Sequence, residues 1–139
     1  MGQRGLDESS GLVKIPEHII KKLGPETLEQ ITAMEWLRWK HPQVEKVTFH
    51  IANERKQNKV FGLVMTHMGV KPGVPDLMLA VPRHGYNGLF IEMKSKKGKL
   101  SENQKNMIQL LTDQNYLVQV AYGSEQAIEI MSSYLCKPV

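Results

Sequence analysis

Two short apolar segments of this chain are each interrupted by charged residues. The first, "GVPDLMLAV" at residues 73–81, contains Asp76, and the second, "GLFIEMKSKKGK" at residues 88–99, contains Glu92 and Lys94. Apolar runs of this length predict β-strands, and a strand has no structural need for a carboxylate or an ammonium in its middle. Because a charge is costly to bury unless it is paired, we expect the two strands to build a polar site as well as a core.

The composition indicates one globular domain and permits a negatively charged partner. The chain has 139 residues, of which 41% are hydrophobic and 23% charged, and its formal net charge is +4. That length can bury a core, and the basic charge suits a polyanion. No apolar run approaches the roughly 20 residues needed to cross a bilayer, and the N-terminus lacks the apolar region of a signal peptide. The single cysteine, Cys136, excludes a disulfide framework and a Cys-rich zinc site, so we expect a cytoplasmic protein without a membrane partner.

Hydrophobic periodicity and the positions of Pro and Gly predict an α/β fold. Residues 1–15 are polar and are expected to form a flexible arm, and residues 16–139 a single domain. Helices are predicted over residues 15–23, 25–40, 60–69, 101–114 and 124–135, the last one capped by Ser124. Strands are predicted over residues 44–51, 116–122 and the two charged segments. From the helix at residues 25–40 onward the order is α-β-α-β-β-α-β-α, which predicts a mixed central sheet flanked by helices.

The register between the two charged strands decides whether their charges meet. If residues 82–88 form the loop, Asp76 lies opposite Lys94 and diagonal to Glu92 on one face of the sheet. A two-residue turn at Asn87-Gly88 is the alternative, and it would move Asp76 away from Glu92. We favour the wider loop because its first residue is a proline, which suits a loop better than a strand.

If the charges do converge, their chemistry is that of a cation site. Two close carboxylates repel each other, so both ionise readily only around a cation. Oxygen ligands without cysteine select Mg²⁺ or Mn²⁺, and such an ion can polarise a phosphodiester. The backbone carbonyl of Met93 could add a further ligand, and Lys94 could orient or deprotonate water or stabilise the transition state. The alternative is a cross-strand cluster of surface charges with little energetic weight.

The pattern of these residues resembles a known nuclease signature. Pro75-Asp76, followed after a hairpin by Glu92-Met93-Lys94, resembles the PD-(D/E)XK motif. The wider sequence from about Pro25 to Leu135 is similar to the VRR-NUC domain family, and especially to its stand-alone phage and bacterial members. The resemblance implies a restriction-endonuclease-like core and hydrolysis of phosphodiester bonds that depends on Mg²⁺ or Mn²⁺. It also implies a homodimer acting on branched DNA such as four-way (Holliday) junctions, in a bacterial host or a phage-infected cell.

The resemblance also assigns roles to individual residues. Asp76 matches the metal-binding aspartate, Glu92 the second carboxylate and Lys94 the catalytic lysine of the family. The first long helix of the family supplies a further glutamate, in a stretch that resembles "ETLEQ" here. Glu26 is the choice for this third carboxylate, and Glu29 and Glu35 are alternatives. Acidic residues in a first helical turn also complement the helix dipole without any further purpose.

Gln104 has two possible explanations. It shares a helical face with three apolar residues, Met107, Ile108 and Leu111, so its side chain could reach a site over the sheet. However, Ser101 followed by Gln104 is also a capping box, which would explain both residues by helix stability alone. The family resemblance, which implies a glutamine at this place, favours a catalytic role.

Basic residues next to the charged strands predict contacts with DNA. The run "KSKKGK" would supply phosphate contacts independent of base sequence, although a solvated loop would also explain it. The loop "HIANERKQNK" resembles a polar loop of related chains, except that Glu54 replaces a glycine there. The residues predicted to bind DNA are Asn53, Arg55, Lys56, Lys71, Lys96, Lys97 and Lys99. A catalytically silent DNA-binding or assembly domain on a nuclease-like fold is the alternative function. His50, His67 and His84 are not expected to bind a metal.

Overall fold

The computed structural model describes residues 12–52 and 59–136. Helices α1 to α6 cover Glu17–Ile20, Pro25–Lys40, Pro42–Glu45, Lys59–His67, Glu102–Asp113 and Ser124–Leu135. Strands β1 to β4 cover Thr48–His50, Leu77–Leu79, Leu89–Lys94 and Leu117–Tyr122. The N-terminal arm predicted over residues 1–15 lies mostly outside the described residues.

The four strands form one mixed sheet in the order β1-β2-β3-β4. The pairs β1–β2 and β2–β3 are antiparallel, and β3–β4 is parallel. Helix α5 provides the crossover between β3 and β4, as a parallel pair requires. This arrangement confirms the predicted α/β fold with a mixed sheet between helices.

The core lies between one face of the sheet and helices α2 and α6. Leu77, Leu79, Leu89 and Ile91 point to this face and are fully buried. They pack in one cluster with Ala33 and Leu37 of α2 and with Ala127 and Met131 of α6. Truncating a buried leucine to alanine costs about 2–5 kcal/mol of stability, so the packing on this face stabilises the sheet. The other face carries the alternate residues of β3, among them Glu92 and Lys94.

The register between β2 and β3 differs from both alternatives considered above. Leu77 lies opposite Ile91 and Leu79 opposite Leu89, which continues to Asp76 opposite Glu92. The preferred register was therefore wrong by two residues. Since a strand repeats every two residues, this shift keeps Asp76 on the predicted face.

The register differs because the connection between the strands, residues 80–88, is longer than either proposed loop. It contains its own bridge between Arg83 and Tyr86. The side chain of Asn115 donates a hydrogen bond to the Gly85 carbonyl at 2.7 Å. The turn after α5 thereby fixes a loop that is distant in sequence.

Several predicted boundaries also change. The strand predicted over residues 44–51 is only Thr48–His50, because Pro42 starts the short helix α3, and the Thr48 hydroxyl donates a hydrogen bond to the Val44 carbonyl at 2.8 Å. Helix α6 starts at Ser124, with Gly123 as its N-cap, so the predicted cap was wrong by one residue. The helix predicted over residues 25–40 is confirmed by α2.

Gly73 determines how the chain approaches β2. Its φ of +82° lies in the region that favours glycine. A Cβ atom there would lie 2.3 Å from the backbone oxygen of Asn103, in the first turn of α5. Pro75 follows and is fully buried. The segment before Asp76 is therefore packed directly against the helix that carries Gln104.

We predict that Gly73→Ala lowers the free energy of unfolding by about 2 kcal/mol more than Gly69→Ala, because the new Cβ overpacks this contact. Gly69 is the matched control: its φ is +111° and nothing lies within 4 Å of a Cβ built there. Both substitutions therefore share the cost of an alanine at positive φ, about 1–2 kcal/mol. Urea unfolding of the two variants measures the difference, and equal losses would contradict the close approach of α5.

Candidate active site

Asp76, Glu92 and Lys94 meet on the face of the sheet opposite the α2–α6 core. Glu92 lies in the middle of β3 and is only 4% exposed. Lys94, two residues on, places its Nζ 3.7 Å from Glu92 Oε1, and its side chain is also largely buried. Asp76 immediately precedes β2, where the register continues to Glu92. The predicted convergence of these three side chains is present.

Asp76 is fixed by a hydrogen bond from the neighbouring strand. The backbone N–H of Met93 donates to Asp76 Oδ2 at 2.7 Å. Within a strand the N–H and C=O groups of one residue point to the same side, so the Met93 carbonyl also points towards Asp76. The predicted set of oxygen atoms, two carboxylates and one backbone carbonyl, is thus gathered where β2 begins.

Gln104 forms the predicted capping box and also contacts Glu92. Its Oε1 accepts a hydrogen bond from Ser101 N at 2.9 Å, and its backbone N–H donates to Ser101 Oγ at 3.2 Å, which completes the capping box. The other end of the same amide, Nε2, donates to Glu92 Oε1 at 3.0 Å. The cap holds the amide so that its donor points at the site.

The two acidic side chains are difficult to ionise together. Burial raises the pKa of Glu92 to about 7, and the charge of Asp76 and a hydrogen bond with that side chain add to the effect. Burial also raises the pKa of Asp76, against the hydrogen bond from Met93. Lys94 lowers both pKa values but does not cancel the effect of burial. A carboxyl pair of this kind is stabilised in its anionic form by a cation.

The three candidate glutamates of α2 lie in different places. Glu26 Oε1 accepts a hydrogen bond from Ser95 N at 3.1 Å, and its charge raises the pKa of both Asp76 and Glu92. Glu29 instead contacts Ser124 at the start of α6, where a hydrogen bond with the Ser124 side chain and one donated by Ser124 N lower the pKa of Glu29. Glu35 is nine residues from Glu26, about 13 Å along the helix axis. Of the three, Glu26 lies beside the site.

The donor atoms fit a hard divalent ion that keeps much of its water. Among the described residues, no group of three or more His, Cys, Asp or Glu side chains is arranged to hold a metal ion. Mg²⁺ does not require such a cage, because it is commonly bound by one or two carboxylates, with water and substrate phosphate completing the shell. Asp76, Glu92 and the Met93 carbonyl meet that requirement, and they lack the nitrogen and sulfur ligands that favour zinc.

The predicted DNA-binding residues are only partly described. Lys71, Lys96, Lys97 and Lys99 are exposed, and the last three directly follow Lys94 in the chain. Asn53, Arg55 and Lys56 lie outside the described residues. Lys96, Lys97 and Lys99 therefore lie just beyond the end of β3 that carries Lys94.

Sequence reasoning missed His50, at the end of β1. Its Nδ1 lies 3.1 Å from the backbone oxygen of Asp76 and 2.9 Å from Gln30 Nε2. These contacts join residues 26 and 20 positions apart, so no local pattern could have revealed them.

Comparisons with known proteins identify the family of this chain. The family model described as "VRR-NUC domain" matches residues 14–125. A solved structure described as "VRR_NUC domain protein" is 26% identical, covers 81% of this chain and 89% of its own, and superposes with a TM-score of 0.71. A search of the curated proteins found no match. The chain belongs to the VRR-NUC family of nuclease domains, as the sequence predicted. No helix among the described residues is long and apolar enough to cross a membrane.

We predict that Glu92→Gln stabilises the protein relative to wild type as the pH rises. A carboxyl with a raised folded-state pKa stabilises the fold below its unfolded pKa of about 4.3, and this stabilisation is lost as the pH rises to about 7. A shift of one pKa unit corresponds to about 1.4 kcal/mol. The free energy of unfolding of Glu92→Gln, relative to that of wild type, should therefore rise by roughly 2–3 kcal/mol from pH 4.5 to 7.5.

Denaturant unfolding in EDTA across this range measures the difference. Glu129→Gln is the control, because Glu129 is exposed on α6. A difference that stays flat for Glu92→Gln, or that grows equally for Glu129→Gln, would contradict the assignment of a strained buried carboxyl.

Proposed function

We propose that the protein is a DNA endonuclease that depends on Mg²⁺ or Mn²⁺ and acts on branched DNA, with four-way junctions as the favoured substrate. The observation that carries the proposal is the meeting of Asp76, Glu92 and Lys94 at one point of a rigid sheet. A buried carboxylate and a half-buried one beside a lysine are costly for stability and suited to phosphodiester chemistry.

Each residue of the site has a distinct part in the reaction. Asp76, Glu92 and the Met93 carbonyl would hold the ion, and Glu26, whose charge raises the pKa of both carboxyls, would bind it through water. When bound, the ion supplies positive charge to polarise the scissile phosphate. Lys94 orients the attacking water or stabilises the charge that develops on the phosphate oxygens. Gln104 keeps the Glu92 carboxylate in place.

The exposed lysines provide the affinity for DNA. Lys96, Lys97 and Lys99 follow β3 directly, and Lys71 lies five residues before Asp76. Contacts of this type neutralise phosphates without reading bases, so binding should weaken steeply with salt. This suits an enzyme that selects the shape of its substrate over its base sequence.

The proposed homodimer uses the surface of α4. The helix has no buried residue. Three of its apolar side chains are strongly exposed, Val60 at 74%, Leu63 at 59% and Val64 at 47%, and so is Met68, the next residue after the helix, at 75%. Exposed apolar patches of this kind mark interaction surfaces. A twofold dimer, the commonest assembly of identical chains, would present two active sites to the two symmetric strands of a junction.

A catalytically silent DNA-binding domain is the alternative function. Carboxylates repel phosphate, so Asp76 and Glu92 oppose DNA binding unless a cation lies between them. The presence of a buried lysine in the same site further favours catalysis over silent binding.

We predict that Asp76→Asn and Lys94→Ala each lower the cleavage rate at least about 100-fold, because each removes a group that acts on the reacting phosphate. DNA binding should change little, since the exposed lysines remain. Lys40→Ala, at the far end of α2, is the control. Cleavage of four-way, flap and linear DNA in Mg²⁺, Mn²⁺ or EDTA measures the effect.

Cleavage in EDTA, or full activity of Asp76→Asn, would reject the metal-dependent mechanism. Binding without any cleavage by the wild type would favour the silent domain. Equal cleavage of linear and four-way DNA would reject the junction preference but not the nuclease.

We predict that Leu63→Glu converts the protein to a monomer, because a charge cannot be buried without a partner at an apolar interface. Leu110→Glu is the matched control, because Leu110 is equally exposed, at 59%, on α5. Light scattering after size exclusion measures the mass. A dimer that survives Leu63→Glu would exclude α4 as the interface.

A further inference from the structure

His50 links three elements at the edge of the active site. It is the last residue of β1, and its register partner is Leu77, the first residue of β2. Its side chain therefore lies on the α2 side of the sheet, opposite the carboxylates. From there Nδ1 is 3.1 Å from the backbone oxygen of Asp76 and 2.9 Å from the side chain of Gln30 in α2.

The contact with Asp76 indicates which ring nitrogen of His50 carries the hydrogen. A carbonyl oxygen can only accept a hydrogen bond, so the short Nδ1–oxygen contact is favourable only if Nδ1 bears the hydrogen. The Gln30 amide nitrogen, 2.9 Å from Nδ1, cannot accept from this N–H, so we assign the Gln30 amide in the turned orientation, which puts its oxygen at that position. One histidine N–H is thus shared between Asp76 and Gln30.

This contact acts on Asp76 just outside the ladder between β2 and β3. Asp76 precedes β2, and the ladder between β2 and β3 begins only at Leu77. Its carbonyl also accepts a hydrogen bond from Ile51 N at 2.7 Å. Two donors, the His50 side chain at the end of β1 and the N–H of Ile51 just after it, therefore hold this carbonyl, and the peptide plane that they fix sets the direction of the Asp76 side chain on the other face.

Helix α2 completes the arrangement. Gln30 is four residues from Glu26, so the two lie on the same face of the helix. Glu26 accepts from Ser95 N at the end of β3, and Gln30 contacts His50 at the end of β1. One helical face thus contacts the ends of both strands that flank Asp76.

We propose that His50 is a positioning residue for Asp76, which it holds through the backbone carbonyl so that the carboxylate is placed to bind the divalent ion. The inference rests on the proposed function, because it assumes that Asp76 binds this ion. Groups that orient the ligands of a metal typically change its affinity 10- to 100-fold when they are removed.

Three substitutions of His50 separate this role from simple packing. His50→Ala removes the donor. His50→Asn places an amide nitrogen where Nδ1 lies, whereas His50→Gln places it near the position of Nε2. His18→Ala, in α1 and exposed, is the matched histidine control, and Asp76→Asn tests the ion site itself.

The primary measurement is Mn²⁺ binding to the DNA-free protein by titration calorimetry, with melting temperatures as the check on folding. His50→Ala and His50→Gln should weaken Mn²⁺ binding about tenfold or more, and His50→Asn should restore most of it. His18→Ala should bind as wild type does, and Asp76→Asn should bind far more weakly. With DNA, kcat should fall more than KM rises, because the lysine contacts remain.

Three results would overturn the inference. If Asp76→Asn loses Mn²⁺ but His50→Ala and His50→Gln bind it as wild type does, the positioning role is wrong while the proposed function stands. If His50→Gln restores binding as well as His50→Asn, polarity and not the placed donor is what matters. If wild type binds no Mn²⁺, both this inference and the metal-dependent function fall together.

Discussion

The crowding of two carboxyl groups at the start of β2 is the constraint on which the rest of the structure depends. Burial raises the pKa values of both Asp76 and Glu92, and the charge of Asp76 raises the pKa of Glu92 further. Two of the surrounding donors, Met93 N–H and Lys94 Nζ, come from the end of β3, and the third, Gln104 Nε2, comes from the start of α5. The buried core on the opposite face keeps these elements in register, so the packing of the core also determines where the charged groups lie.

Much of the fold could be predicted because it is encoded locally. Gly24 and Pro25 start α2, and Ser101 with Gln104 starts α5. The register of β2 on β3 could not be predicted, because Asn115 fixes the loop between them from 30 residues away. The charged residues nevertheless meet as predicted, because a register error of two residues leaves each side chain on the same face of the sheet.

The site residues that could be predicted are those whose side chains are unusual for their position in a strand. Asp76, Glu92 and Lys94 stand out as charges within apolar strands. The choice between Glu26 and Glu29 is different, because both are acids near the start of the same helix. Only the position of α6, whose first N–H donates to Glu29, separates them. His50 looks like any polar residue at the end of a strand until α2 and β2 are placed beside it.

The double use of Gln104 explains why that position holds an amide. A capping box accepts glutamate as readily as glutamine, so the stability of α5 does not decide between them. A glutamate would preserve the cap but set a third negative group against Glu92, whereas the amide offers an acceptor to the helix and a donor to the carboxylate. The identity of residue 104 is therefore set by the negative charge of Glu92 on the neighbouring strand. Fraying of the first turn of α5 would leave Glu92 without its amide partner.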